Sequence, residues 1–578
     1  MDINYNENSN ILIIKASFIE AEFTRALPNR RFLKRLGAWS APCIRLNAMV
    51  IDTWSRQRHT FSPEAEAAIK LSIKGLKTEQ VNFPTSMILK TTPYEHQQRG
   101  LDHVYNLAYS ALFVEMGLGK SKVALDKMAC HFFEGKITGV MIVCPAALRS
   151  NWLDEIHVHC SVPSLPLIPK LTSKRGNSDA QNFVHKPTDK MKILLVGIES
   201  LSSAKGKIYP LVEAYLKNNQ VGVVVDEAHT IKTDSAARTT NLISLTPKAP
   251  YKMIMTGTPI TQSLMDLYSQ FQFLNPDIIG VGDFWSFKSR YAVMGGFENR
   301  SIIGFQNSEE LLDTIKPFVF QCTKKEAVTL PDRTYHTRWV AMTKEQTAFY
   351  KELKRESVAC IPNGDGATLR VVCEYVLVLD AKLKQVASGF IKIKDDFGNT
   401  STTVLIDPKN NPKIKELKSI IEGIPDNEPI LIWASFLEEI EMIRSELTGF
   451  RTGVFEKDYI LFKGGMSDDQ RDAAKTEFNA GKARYFISTQ MTGGTGLTLN
   501  ASCYTIYYSN TFSYLHRKQS QDRNHRIGQT RKVTYIDIFV EKSTDLRVQK
   551  AIAAKGDLAD YVRGRLEAGL DVYNDDEL

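Results

Sequence analysis

The chain has 578 residues, more than one hydrophobic core accommodates, so several domains are expected. Hydrophobic residues make up 43% and charged residues 24%, the balance of a soluble globular protein, and no apolar run reaches the roughly 18 residues of a membrane span. The net charge of +8 permits a polyanionic partner without demanding one, and the polar start Met1–Asn8 does not read as a secretory signal. A cytoplasmic protein is expected, with no membrane contact. None of the eight cysteines forms a CxxC pair, and several lie in apolar runs, so they read as buried, reduced thiols rather than zinc ligands or disulfides.

Residues 1–90 read as a small α/β accessory domain. Ile11–Ile14 suits a strand, and Ser62 followed by Pro63 and acids suits a helix start. Between them, Pro28–Pro42 is basic with interleaved aromatics. That mixture suits nucleic-acid contact, cations meeting phosphates and rings meeting bases, and equally suits a domain whose Phe32 and Trp39 are core.

The stretch 91–276 has the spacing of alternating βα units. Gln97, in Pro93–Gly100, has an amide able to read an adenine edge. The apolar run Ala111–Val114 then feeds Glu115-Met-Gly-Leu-Gly-Lys-Ser121, with a helix predicted after it. This is the layout of a phosphate-binding loop. Gly117 and Gly119 let the backbone of Met116–Gly119 approach phosphate oxygens, Lys120 reaches the β- and γ-phosphates, and Ser121 can ligate Mg²⁺. Val221–Val225 is a buried strand that delivers Asp226 and Glu227 to its C-terminal end, where α/β folds bind ligands. Asp226 is placed to hold Mg²⁺, Glu227 to deprotonate a water, and His229 to sense the γ-phosphate. Thr256-Gly257-Thr258 ends a further strand and can couple hydrolysis to a neighbouring surface.

Residues 277–410 lose the alternation. Helical packing and a hairpin, Phe390–Lys394 with Thr402–Ile406, are expected there. The alternation returns over 411–550, with strands at Pro429–Ser435, Arg484–Thr489 and Tyr504–Ser509 and a glycine-rich Gly493–Leu497. Arg523 and Arg526, three apart, are read as lying on one helix face, where guanidinium groups suit phosphate. Residues 551–578 are expected to be a tail.

Taken together, Pro93-Tyr94 with Gln97 and Gly100, Glu115–Ser121, Cys144-Pro145 with Trp152 and Glu155, Asp226-Glu-Ala-His229 with Ile231-Lys232, Thr256–Pro259, Gly493–Leu497 and Gln521–Gln529 resemble, in order, the motifs of superfamily-two helicases. They are closest to the Swi/Snf-like double-stranded DNA translocases. Pro28–Pro42 faintly resembles the HARP module of annealing helicases, which would imply recognition of forked DNA. The resemblance implies two RecA-like α/β lobes with helical insertions, and an ATP- and Mg²⁺-dependent, DNA-stimulated ATPase. It implies Gln97 at the adenine, Gly496 in the ATP site, and Arg523 and Arg526 as arginine fingers. DNA contacts are expected near Pro145, Trp152, Ile198, Ser435, Thr489 and Thr492. Double-stranded or branched DNA is the expected partner of a monomeric bacterial or phage enzyme, alongside replication or recombination proteins. A nucleotide-gated subunit of a larger complex is the alternative. The sequence departs from the family at Val114, where Asp is usual, at Ser121 in place of Thr, and at Gln262 in place of Asn.

Overall fold

The computed structural model describes residues 1–7, 11–17, 20–24, 27, 30–43, 47–48, 51, 59–74, 87–295, 298, 301–328, 330–356, 358–362, 368–372, 376–394, 400–494 and 496–567. Pro28, Cys373, residues 363–366 and 395–399, and the last eleven residues of the expected tail lie outside them. The chain divides into two compact units, Met1–Ala327 with Leu558 onward, and Val328–Asp557. The expected class, α/β with two parallel sheets and a small N-terminal α/β element, is the class adopted.

In the first unit the continuous apolar runs become a seven-stranded parallel sheet. Its order is Val319–Cys322, Tyr109–Val114, Lys252–Met255, Val221–Asp226, Gly139–Cys144, Met191–Gly197, Ser164–Leu167. Strands Gly139–Cys144 and Met191–Gly197 are buried along their whole length, which is why their sequences show no polar alternation. Val562, near the end of the last helix (Asp545–Glu567), packs in this unit's core.

The N-terminal part of this unit is a five-stranded sheet, ordered Arg31–Leu33, Ala38–Pro42, Ile11–Lys15, Asp2–Asn6, Thr60–Phe61. The helix Pro63–Lys74 begins as its sequence predicts, with Ser62 Oγ accepting from Ala65 N at 3.1 Å. The aromatics of the basic hairpin divide: Trp39 packs against the small core, while Phe32 is half exposed.

The second unit holds a six-stranded parallel sheet, ordered Arg333–Val340, Val533–Val540, Tyr504–Tyr507, Ile430–Ala434, Ala483–Thr489, Lys457–Phe462. Its edge strand Arg333–Val340 comes from the stretch where alternation was lost. It is exposed at all but two positions, so it carries no buried apolar run for a sequence reading to find. The hairpin Phe390–Lys394 with Thr400–Val404 forms two residues earlier on its second strand than expected. A second hairpin, Val358–Pro362 with Thr368–Val372, was not anticipated. Cys43, Cys130, Cys144, Cys160, Cys322 and Cys503 are buried free thiols, as read from the sequence.

The helix Lys120–Phe133 carries a buried lysine with no carboxylate partner among the described residues. Lys127 is fully buried, and its Nζ donates to Leu107 O at 2.7 Å and Ser110 Oγ at 2.9 Å. Burial pushes its pKa down to about 7. His131, stacked on Tyr251 with ring centroids 3.9 Å apart, is pushed down to about 3, first by burial and then by Lys127. His103 is lowered by the same two causes. An unfolded lysine keeps its proton up to the ordinary 10.5. Between about 7 and 10.5 the unfolded chain therefore binds more protons than the folded one, and stability rises with pH across that window. The urea midpoint should climb from about pH 7 to about pH 9, and Lys127→Met should flatten that climb.

Candidate nucleotide site

The loop Glu115–Gly119 leaves the strand Tyr109–Val114 and turns into the helix Lys120–Phe133. Gly117 and Gly119 have φ of +83° and +77°, a region that side chains resist. At Gly119 the space is taken as well: a Cβ there would lie 2.1 Å from Gln97 Nε2. Gln97, buried on the helix Glu95–Val104, accepts from Tyr94 N at 3.0 Å and donates to Leu118 O at 3.2 Å. The ring Nε2 of His96 lies 2.9 Å from the same carbonyl, a contact the sequence reading missed. Lys120 Nζ donates to Val114 O at 2.9 Å, and Ser121 is partly exposed at the helix start.

At the end of the strand Val221–Asp226 both carboxylate oxygens of Asp226 are engaged. Oδ1 accepts from Glu227 N at 2.9 Å and Oδ2 from Trp152 Nε1 at 3.1 Å. Burial and the neighbouring Glu227 carboxylate raise the Asp226 pKa to about 6, against the opposing charge of Lys120. Glu227 is held in the left-handed region at φ +51°, where a non-glycine residue is strained. That turn directs its carboxylate sideways. Oε2 lies 3.5 Å from Thr256 Oγ1 and 3.2 Å from His229 Nδ1. The Thr256 hydroxyl also accepts from Thr258 N at 3.1 Å, which leaves its proton for Glu227. Between the two threonines, Gly257 sits so close to the loop that a Cβ would lie 3.2 Å from Met116 N. Glycine loop, acids and Thr-Gly-Thr turn thus converge on one place.

The network continues outward. Lys232 Nζ donates to Thr261 Oγ1 at 2.5 Å, and Asp266 Oδ2 accepts from Thr261 N, Thr261 Oγ1 and Gln262 N at 2.7 to 2.8 Å. Residue 262 serves this turn through its backbone N–H, so the departure to Gln leaves the turn intact. Asp266 was missed because an acid at a helix start is common for reasons of capping alone.

Two expected DNA contacts are not on the surface. Trp152 is 2% exposed and spends its N–H on Asp226, while Ile198 is 1% exposed inside the core. Trp152 lies on the helix Arg149–His159 and Ile198 directly follows the buried strand Met191–Gly197, and packing claims both. Pro145 is partly exposed, and its segment is joined to that of Ile198 by Ala146 N donating to Glu199 Oε2 at 3.1 Å. In the second unit Ser435 N donates to Glu439 Oε2 and Ser509 Oγ, both at 2.8 Å. Thr489 Oγ1 caps the short helix Gln490–Gly493 by accepting from Thr492 N at 3.2 Å, with Thr492 itself partly exposed.

Arg523 and Arg526 do not lie on a helix face. The helix Tyr514–Gln521 ends before them, and they occupy the turns that follow. What brings them together is a carbonyl. Arg523 Nη1 donates to Leu497 O at 2.7 Å and Arg526 Nη1 to the same oxygen at 3.3 Å, next to Gly496 at φ +72°. Gln529 Nε2 closes the turn on the carbonyls of Asn500, Ser502 and Asn524.

Comparison with known proteins bears on this arrangement. A model of the SNF2-related domain matches residues 96–388, and one of the helicase conserved C-terminal domain matches 412–528. An uncharacterized ATP-dependent helicase of Mycoplasma genitalium is 24% identical over 508 residues, 86% of this chain and 45% of that protein. An ISWI chromatin-remodeling complex ATPase of Arabidopsis thaliana is 25% identical over 483 residues, 80% of this chain and 42% of that one. A rice DNA excision repair protein is 24% identical over 503 residues, 80% and 40% of the two chains. The chain spans less than half the length of these relatives. Among solved structures, a Sulfolobus solfataricus SWI2/SNF2 ATPase core in complex with dsDNA aligns at 20% identity and a TM-score of 0.36, over 85% of this chain and 97% of that one.

Gly119→Ala puts a Cβ onto Gln97 at an unfavourable φ. It should weaken binding of a fluorescent ATP analogue about tenfold or more, read by equilibrium titration.

Proposed function

Because the chain belongs to the SNF2-related domain family, we propose that it is an ATP hydrolase whose turnover drives translocation along double-stranded DNA. The observation that carries this reading is the cluster of Glu227, Thr256 and His229 beside Asp226 and the glycine loop. A switch that only binds nucleotide has no use for a strained, buried glutamate placed this way. In this reading the backbone of Met116–Gly119 and the Lys120 ammonium take the phosphates, and Gln97 takes the adenine. Glu227 accepts the proton of the attacking water, with Thr256 and His229 fixing its orientation. Two adjacent acids, Glu227 buried and Asp226 partly so, with one lysine as counter-charge make a donor set that suits a hard divalent cation. Asp226 and the Ser121 hydroxyl would hold Mg²⁺, which supplies charge neutralisation at the phosphates when bound. Thr256, Gly257 and Thr258 pass the state of the phosphates to the turn held by Asp266. Arg523 and Arg526, brought together on Leu497 O beside Gly496, are proposed as guanidinium groups that meet phosphate oxygens.

The segments at Pro145, Ser435, Thr489 and Thr492 are proposed to meet DNA phosphates. We further propose residues 1–90 as a reader of forked or branched DNA, in replication, recombination or repair. Support comes from the hairpin Arg31–Leu33 with Ala38–Pro42. The hairpin presents exposed Arg31 on its first strand and exposed Lys34 and Arg35 in its turn, none of them paired with a carboxylate among the described residues. It lines a cleft of about 820 Å³ with Trp39, Asp283 and Ser286. Next to that wall Trp285 is 74% exposed, with Lys288 Nζ 5.6 Å from its ring. Exposed rings with free cations suit unpaired bases and their phosphates.

ATPase rates measured without DNA and with single-stranded, duplex and forked DNA test the reading. Duplex and fork should stimulate strongly and single strands less, while Glu227→Gln abolishes turnover and keeps nucleotide binding. Lack of stimulation by any DNA would overturn the translocase reading. Trp152→Phe, which removes the bond to Asp226, should lower kcat about tenfold with little change in KM.

A further inference from the structure

The phosphate loop begins with a residue that none of these roles uses. Glu115 is buried, 7% exposed, and its Oε2 accepts a 2.7 Å bond from the backbone N–H of Lys324. Its own N–H donates to Cys322 O at 3.0 Å, carrying the parallel pairing of Tyr109–Val114 with Val319–Cys322 one residue past the strands. Its carbonyl oxygen lies 3.4 Å from Lys120 Nζ, the loop lysine. On one side its backbone therefore touches the loop lysine, whose shorter bond goes to the neighbouring Val114 O. On the other it holds the first residue of the short helix Lys324–Ala327, whose last residue closes the first unit before the chain enters the second at Val328. A buried carboxylate carries a desolvation cost that an apolar residue of similar size would not, so packing alone does not account for a glutamate here. A carboxylate bonded to a backbone N–H is instead a strong and directional tie.

We infer that Glu115 is a positioning residue that ties the phosphate loop to the segment by which the chain leaves the first unit. A shift of the loop on nucleotide binding moves the N–H of Lys324 through this bond, so the occupancy of the site is passed along the chain itself. The inference rests on the nucleotide reading above and adds to it a route out of the site.

Hydrogen–deuterium exchange of the full chain tests it, with and without saturating AMP-PNP and Mg²⁺. In the wild type, exchange in the peptide covering residues 323–328 should change about tenfold on nucleotide addition. Glu115→Ala should lose that response at an AMP-PNP concentration that saturates the variant, as set by titration with a fluorescent ATP analogue, and Glu115→Gln, which keeps a carbonyl acceptor, should retain most of it. If Glu115→Ala does not fold, Lys324→Pro removes the donor at a first helical position that tolerates proline, and should lose the response in the same way. Nucleotide binding with no change in this peptide overturns the inference alone, as does a response that survives both substitutions. Failure of the wild type to bind nucleotide overturns the nucleotide reading and the inference with it.

Discussion

With its φ at +77° and the amide of Gln97 filling the space where a side chain would begin, Gly119 decides where the parts of the nucleotide site stand. The close approach lets Gln97 and His96 share the Leu118 carbonyl, which anchors the helix Glu95–Val104 to the loop. A second glycine, Gly257, admits the loop from the other side through its contact with Met116 N. Between these two backbone approaches the loop has little freedom. The carboxylates of Asp226 and Glu227 then meet it from a strand whose register with Lys252–Met255 is fixed residue by residue. Placing the acids and the Thr-Gly-Thr turn on adjacent parallel strands is what allows Thr256 to reach Glu227.

The second unit holds its paired charges by a different device. Its two arginines come from irregular turns, and a shared acceptor, Leu497 O, holds them. The base beneath them is rigid. Arg517 is stacked on Tyr507 at 3.5 Å and paired with Asp537 at 2.9 Å, and Tyr507 bonds Ser520 at 2.9 Å, so the helix Tyr514–Gln521 is locked to its sheet. Breaking that buried pair would release a charge with nowhere to go.

The legible parts of this molecule were those where chemistry and local structure coincide. Buried parallel strands announce themselves as unbroken apolar runs, and a glycine loop between such a run and a helix has few other uses. The site residues that escaped notice are held by long-range contacts. The bond from Trp152 to Asp226 spans 74 positions and that from Glu115 to Lys324 spans 209. Trp152 looked like a surface contact because its motif did, whereas the indole is buried and its N–H donates to the second carboxylate oxygen of Asp226. The arginine turn was misread as a helix because a spacing of three is compatible with both. Arg333–Val340 gave no signal because an exposed edge strand has no reason to be apolar.

The left-handed backbone at Glu227 has a consequence for how the protein tolerates change. The fold holds this residue where only glycine, and to a lesser extent asparagine, would rest without strain. The residue that matters most to the proposed chemistry is thus one the fold would be better without. A chain that loses its glutamate to glycine gains stability at this turn while losing turnover. Selection for stability alone would therefore favour its replacement, whereas selection for the proposed hydrolysis would keep it.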